Sequence, residues 1–119
     1  MLSVQKYLIF AEIKNWEDAR EHCIDLGRHL IEVKTDEAYA GALLIKQNID
    51  GDFWLGGNDI RQEGNWVWDS NGDSIEDNYW KNDNHRSKGN EDCLVMKKDD
   101  EHFHDRRCSD EYPFVCEWI

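Results

Sequence analysis

Proline is nearly absent from this 119-residue chain; Pro113 is the only one. A cis-proline turn is thereby excluded from every loop that precedes it. No stretch approaches the roughly 20 apolar residues of a membrane span. There is no Cys-x-x-Cys pair, which argues against a zinc ribbon or a thioredoxin-like redox site. There is no Asn-x-Ser/Thr acceptor and no internal repeat. Positive charge is scarce, with 14 Lys and Arg against 26 Asp and Glu and a formal net charge of -12. A nucleic-acid partner needs clustered Lys and Arg to neutralise phosphates, so that class is excluded. The acidic excess fits a well-solvated surface or one that holds cations. The opening MLSVQKY has no signal-peptide pattern, so a secreted form would be the mature chain with an added or replaced start.

What is present is compact and specific. The length fits one domain, residues 1–119. Six tryptophans are many for that length and require a core or an aromatic platform. Four cysteines, Cys23, Cys93, Cys108 and Cys116, lie far apart in sequence. An even count in a small domain reads as two disulfides and an oxidising compartment. Sequence alone allows three pairings. We favour Cys93–Cys108, which closes a short loop, and Cys23–Cys116, which closes nearly the whole domain. In the chain-entropy view these contribute about 3 and about 4.7 kcal/mol.

Residues 4–14 are rich in β-branched and aromatic types and predict an opening strand or strand pair. Asn15 looks like an N-cap, with Glu17 and Asp18 where the helix dipole favours acids. Trp16, Ala19, Cys23 and Leu26 recur at helical spacing, and Gly27 sits where a terminating glycine belongs. A helix is expected over 16–26 with Cys23 on its buried face. His29–Val33 reads as a short strand. Thr35 looks like a second N-cap, leading a helix over 36–47 with Tyr39, Leu43 and Leu44 toward the core. Gly51 and Asp52 mark a turn, and 53–57 a buried strand ending in paired glycines.

From Asn58 to Asp92 the pattern breaks down into Gly, Asn and nine acidic residues. A long irregular stretch in a small domain is usually functional. Disorder is the competing reading, and Trp66, Trp68, Tyr79 and Trp80 argue against it. Trp66 and Trp68 alternate, so they share a face, and packing under the loop is expected for both. Residues 94–96, 101–105 and 112–118 read as three closing strands.

Together, Trp16 through Cys23, Leu30–Val33, Phe53–Gly57, Trp66–Val67–Trp68, Trp80, Glu91–Asp92–Cys93, His104–Asp105, Cys108 and Phe114–Glu117 carry a resemblance over essentially the whole chain. It resembles the C-type lectin-like domain in its short, two-disulfide form. The resemblance implies an α+β fold: two helices, mixed antiparallel sheets, disulfides Cys23–Cys116 and Cys93–Cys108, and a long loop that holds calcium. It also implies calcium ligands. The auxiliary site would use Asp59 and Glu63, four residues apart after the core strand, with Glu91 and Asp92 before the loop-closing cysteine. Four carboxylates from two segments suit a hard cation that takes six to eight oxygens.

The principal, sugar-contacting site departs from the family's pattern. Glu91 and Asp105 match. The usual loop tripeptide with its proline is missing, and Asn82-Asp83-Asn84 stands in its region. His104 occupies a position where an Asn would coordinate both calcium and sugar, and imidazole is a poor calcium ligand. One outcome is a re-formed site using Asp83 or Asn84, Glu91 and Asp105, with His104 donating to a sugar hydroxyl. A second is an empty site. A third is zinc, drawn by His85, His102 and His104 with Asp105; His102 and His104 would face one side of a strand. Tyr79 is the better candidate for an exposed aromatic. Glu37 and Glu117 could join a further calcium site near the second helix, although exposure to solvent is expected for both.

The functional expectation is a secreted, calcium-dependent lectin that binds carbohydrate or glycoprotein glycans, and possible non-covalent dimers would add avidity. The alternative is the same scaffold with sugar binding lost, meeting a protein or mineral surface. Catalysis is not expected. Two carboxylates can run glycoside hydrolysis, but no pair stands apart from the metal-ligand set.

Overall fold

The computed structural model describes residues 6–76, 91–99 and 102–118. Both helices start on the caps that the sequence marks. Asn15 Oδ1 accepts from the Asp18 N–H at 2.8 Å and starts α1, Trp16–Asp25. Thr35 Oγ1 accepts from the Ala38 N–H at 3.0 Å and starts α2, Asp36–Lys46. Each cap satisfies a donor that the first turn leaves without a partner. Gly27 follows α1 with φ +74°, the left-handed conformation that ends helices.

Trp16, Ala19 and Cys23 form the buried face of α1. Leu26 does not continue it. It is the C-cap residue and 44% exposed, because the helix ends before its side chain can follow the period. The buried face of α2 also differs from expectation. Ala42 and Ile45 are its buried residues, Tyr39 packs partly, Leu43 is half-buried and Leu44 is 64% exposed. Leu44 lies about 200° around the helix from Ala42, so the two cannot share a face.

The strands are β1 (Tyr7–Lys14), β2 (Arg28–Leu30), β3 (Phe53–Asn58), β4 (Val67–Trp68), β5 (Cys93–Met96), β6 (Phe103–Arg106) and β7 (Tyr112–Trp118). They make one sheet in the order β1-β7-β3-β5-β6, with β2 added to β7 and β4 to β3. The first and last strands pair antiparallel, and the Trp118 N–H donates to Lys6 O at 2.9 Å. The strand expected over 29–33 is shorter. After Leu30 the chain leaves the ladder, and Ile31 donates to Val115 O while accepting from the Gly56 N–H.

Every residue of β3 is buried. Phe53 and Leu55 join a cluster with Ile45, Trp68, Met96, Phe103 and Val115. Trp54 joins Trp16, Cys23, Val95, Phe114 and Cys116 on the α1 side. A strand covered on both faces reads as a continuous apolar run. Both disulfides, Cys23–Cys116 and Cys93–Cys108, are formed as favoured.

Glu117 is a correction. Expected at the surface, it is 7% exposed on β7. Burial pushes its carboxyl upward, against the pull of the Glu32 N–H and the His29 and Lys6 charges. The Glu32 N–H donates to Glu117 Oε2 at 3.0 Å. The buried Glu32 carboxylate in turn accepts from the Ser70 N–H and hydroxyl at 2.8 and 2.7 Å. Apolar surroundings strengthen such charge-assisted bonds. They fix the chain beyond β4 against the sheet.

Candidate metal centre

The site is assembled by strand register. Asn58 pairs with Cys93 across β3 and β5. The next residue, Asp59, donates its N–H to Asp92 O at 3.0 Å. The segment leaving β3 is thus fastened to the segment entering β5. Asp59 is buried, and its Oδ2 accepts from the Gly64 N–H at 2.8 Å. Gly64 has φ +83°, which closes the turn that returns Glu63 toward Asp59.

One ligand oxygen from each of Asp59, Glu63 and Asp92 can be chosen so that all lie within 4.8 Å of one another. Among the described residues, Asp59 Oδ1 and Asp92 Oδ1 are buried with no hydrogen-bond donor. Buried acceptors without donors are costly. The Asp59 carboxyl shows that cost directly. Burial pushes it from 3.8 to about 7; the Asp92 and Glu63 charges add to the rise, and the Gly64 N–H opposes it. Glu63 is displaced upward as well, first by desolvation and then by Asp92. Such a group is satisfied by a proton or by a cation. Converging hard oxygens from two rigidly joined segments fit a calcium-type ion, with carbonyls and water completing the shell.

The other expected residues are placed differently. Glu91 is half-buried ahead of β5 and stands outside this three-carboxylate group. Asp105 is 3% exposed on β6, opposite Leu94, and faces inward with Phe103. His104, opposite Val95, is half-buried on the other face of β6. His102 precedes the strand at the same parity, so the two histidines share a side as expected. Asp105 faces away from that side, and among the described residues neither histidine joins a group of three metal-ligating side chains. Among the described residues, His102, His104 and Asp105 do not come together as that arrangement needs, and its fourth member, His85, lies outside them. Asp83, Asn84, Tyr79, Trp80 and His85 lie outside the described residues. Trp66 and Trp68 are core residues, 5% and 2% exposed.

Sequence reasoning missed Glu32 and Ser70, which hold the loop beyond β4. A lone Glu inside the apolar run Leu30–Val33 was the signal, since a buried carboxylate in a strand needs donors.

The family model for the lectin C-type domain matches residues 12–118. Mouse "C-type lectin domain family 4 member F" is 31% identical over 118 residues, which covers 92% of this chain and 21% of that protein. The chain therefore spans about a fifth of that relative's length. Among solved structures, the carbohydrate-recognition domain of the human scavenger receptor C-type lectin is 29% identical, with TM-score 0.77 over 93% of this chain and 88% of that one. A Ca2+-dependent type II antifreeze protein in its Ca2+-free form has TM-score 0.83 at 24% identity, over 95% and 90% of the two chains, and shares the fold. With the family match over most of its length and both expected crosslinks in place, the chain belongs to the C-type lectin domain family.

Proposed function

We propose that residues 1–119 form one secreted, calcium-dependent carbohydrate-binding domain. The observation that carries this reading is the convergence of Asp59, Glu63 and Asp92, with Asp59 Oδ1 and Asp92 Oδ1 buried and without a donor among the described residues. Asp59, Glu63 and Asp92 hold the auxiliary calcium. Glu91 and Asp105, with Asp83 or Asn84, hold the principal one. Calcium there supplies a positive centre for the lone pairs of neighbouring sugar hydroxyls. The chain's own part is rigidity and orientation. The Glu32–Ser70 bonds hold the loop beyond β4, and the β5–β6 ladder carries Asp105. The function is binding without turnover.

A glycan array read with calcium and with chelator tests the proposal. Calcium-sensitive binding is expected, and Asp105→Ala should abolish it while leaving the circular dichroism spectrum and the Asp59 site's calcium affinity intact. A second reading is favoured by His104 in place of a ligating side chain and by a loop that lacks proline: the domain keeps calcium and meets a protein or mineral surface. Calcium binding by calorimetry together with a flat glycan array selects that reading.

A further inference from the structure

One edge of the sheet is open. Among the described residues β1 ends the strand order and pairs with β7 alone. Tyr7, Leu8, Ile9 and Phe10 face Glu117, Cys116, Val115 and Phe114, and one step earlier the Trp118 N–H donates to Lys6 O. A bond between directly opposed residues marks a hydrogen-bonded pair of an antiparallel ladder, and such pairs recur at every second position. Leu8 and Phe10 therefore turn their backbone groups toward β7, and Tyr7 and Ile9 turn theirs outward. The far side of β7 has the matching parity. Val115, opposite Ile9, accepts there from the Ile31 N–H at 3.0 Å.

Outward N–H and C=O groups on an edge are a template for a further strand, and edges are commonly blunted by charge, bulges or shortness. The other end of the sheet is blunted in this way. β6 has four residues, and three of them, His104, Asp105 and Arg106, are polar or ionisable. β1 differs where it is regular. Tyr7–Ala11 carries no charge, and Ile9 on that run is 40% exposed. Charge and irregularity flank the run instead. Lys6 precedes it, Glu12 and Lys14 follow it, and the register with β7 shifts between Phe10 and Lys14.

The residues of the run indicate which strand fits. Joining outward groups to outward groups across a two-fold axis sets odd positions opposite odd ones. With Ile9 on the axis, it meets the partner's Ile9. Tyr7 then meets the partner's Ala11, Leu8 the partner's Phe10, and Lys6 the partner's Glu12. Directly opposed apolar pairs and opposite charges stabilise a sheet, and like charges oppose it. A shift of two residues sets Lys6 against Phe10 in one direction and against Lys14 in the other, so the charge match is lost. Within one chain Glu12 has an exposed contact with Lys14 at 3.5 Å, of a kind worth little, and this leaves it available to a facing lysine.

We propose that β1 is the interface of a two-fold homodimer, in which a second copy of this chain pairs antiparallel along Tyr7–Ala11 with Lys6 opposite the partner's Glu12. Copies of net charge -12 repel one another, and the local match of charge offsets part of that repulsion. A five-residue ladder is short beside the roughly 1,200–2,000 Å² of a stable interface, so the dimer is reversible, with a dissociation constant on the order of 10–100 μM. Two-fold pairing occupies both edges at once, so assembly stops at two. None of the carboxylates of the metal centre takes part, and the inference stands apart from the carbohydrate reading.

Sedimentation velocity of the calcium-loaded chain, from about 1 to about 500 μM at about 0.15 M salt, tests this. The mass should rise from one protomer to two across that range. Ile9→Lys sets two ammonium groups together on the axis from an exposed position. It should weaken the dimer about tenfold or more while the melting temperature of the dilute chain holds. Lys6→Glu sets acid against acid at both ends of the ladder and should weaken it comparably. Lys6→Glu combined with Glu12→Lys reverses the pair and should restore the dimer, which an effect on the single chain would not do. A monomer at every concentration overturns the proposal, because the edge is then unused or covered by the chain itself. A dimer indifferent to Ile9→Lys overturns it by assigning the contact to another face. A double variant that stays as weak as Lys6→Glu overturns the register and the proposal with it.

Discussion

At the scale of single residues, Asp59 governs the behaviour of the site. Its carboxyl is raised from 3.8 to about 7 in the folded chain. The native state therefore holds this proton more tightly than the unfolded state does. The corresponding stability is fully present below about pH 4 and is lost as pH climbs through about 7. Chelated protein should accordingly become less stable between those limits, unlike the usual carboxylate case. Calorimetric melting across pH 4–8 in chelator measures this. Asp59→Asn, which keeps the shape and removes the charge, should flatten that slope and raise the melting temperature at pH 7 without metal. The same variant should lose most of the calcium response. A metal-free melting curve that rises from pH 4 to 7 would contradict the account.

At the scale of elements, α2 separates what is audible in a sequence from what is not. Its start on Thr35 and its length follow from capping and composition. Its inward face does not, because Leu43 and Leu44 outweigh Ala42 by hydrophobicity while the packing takes Ala42 and Ile45. Ile45→Ala should cost about 2–4 kcal/mol in urea unfolding, the usual cost of emptying a buried aliphatic site. Leu44→Ala should stay within about 0.5 kcal/mol, as surface changes do. Strands β3, β5 and β7 were legible because buried strands read as apolar runs. The depth of Glu117 was not, because the Glu32 N–H that receives it is 85 positions away. Asp59, Glu63 and Asp92 were named through the resemblance to the lectin domain's ligand pattern, and their meeting follows from the Asn58–Cys93 register. The exclusion of Glu91 from that trio depends on which way one residue turns ahead of β5, and no spacing rule encodes that.

At the scale of the whole molecule, the charge of -12 and the carboxylate trio act together. Repulsion among acids opposes the metal-free fold, and a divalent ion bound at the trio would relieve it. Calcium at about 100 times its dissociation constant should add about 2.7 kcal/mol, a rise of a few degrees in melting temperature. Monovalent salt at the same ionic strength should recover only part of that rise, because screening does not satisfy Asp59 Oδ1 and Asp92 Oδ1. The pairing of β1 with β7 has a further, mechanical result. Lys6 and Trp118 are bonded neighbours, and Cys116 is crosslinked to Cys23 two residues inward from Trp118. A tensile load on the two ends would peel β1 and then unwind α1, until the tether at Cys23 took up the strain. Extension should halt after about 60 Å of released chain, roughly 3.5 Å for each residue freed. Everything between the tethered cysteines would bear no load, so an optical trap should find the Asp59–Glu63 turn unperturbed under tension until a reductant is added.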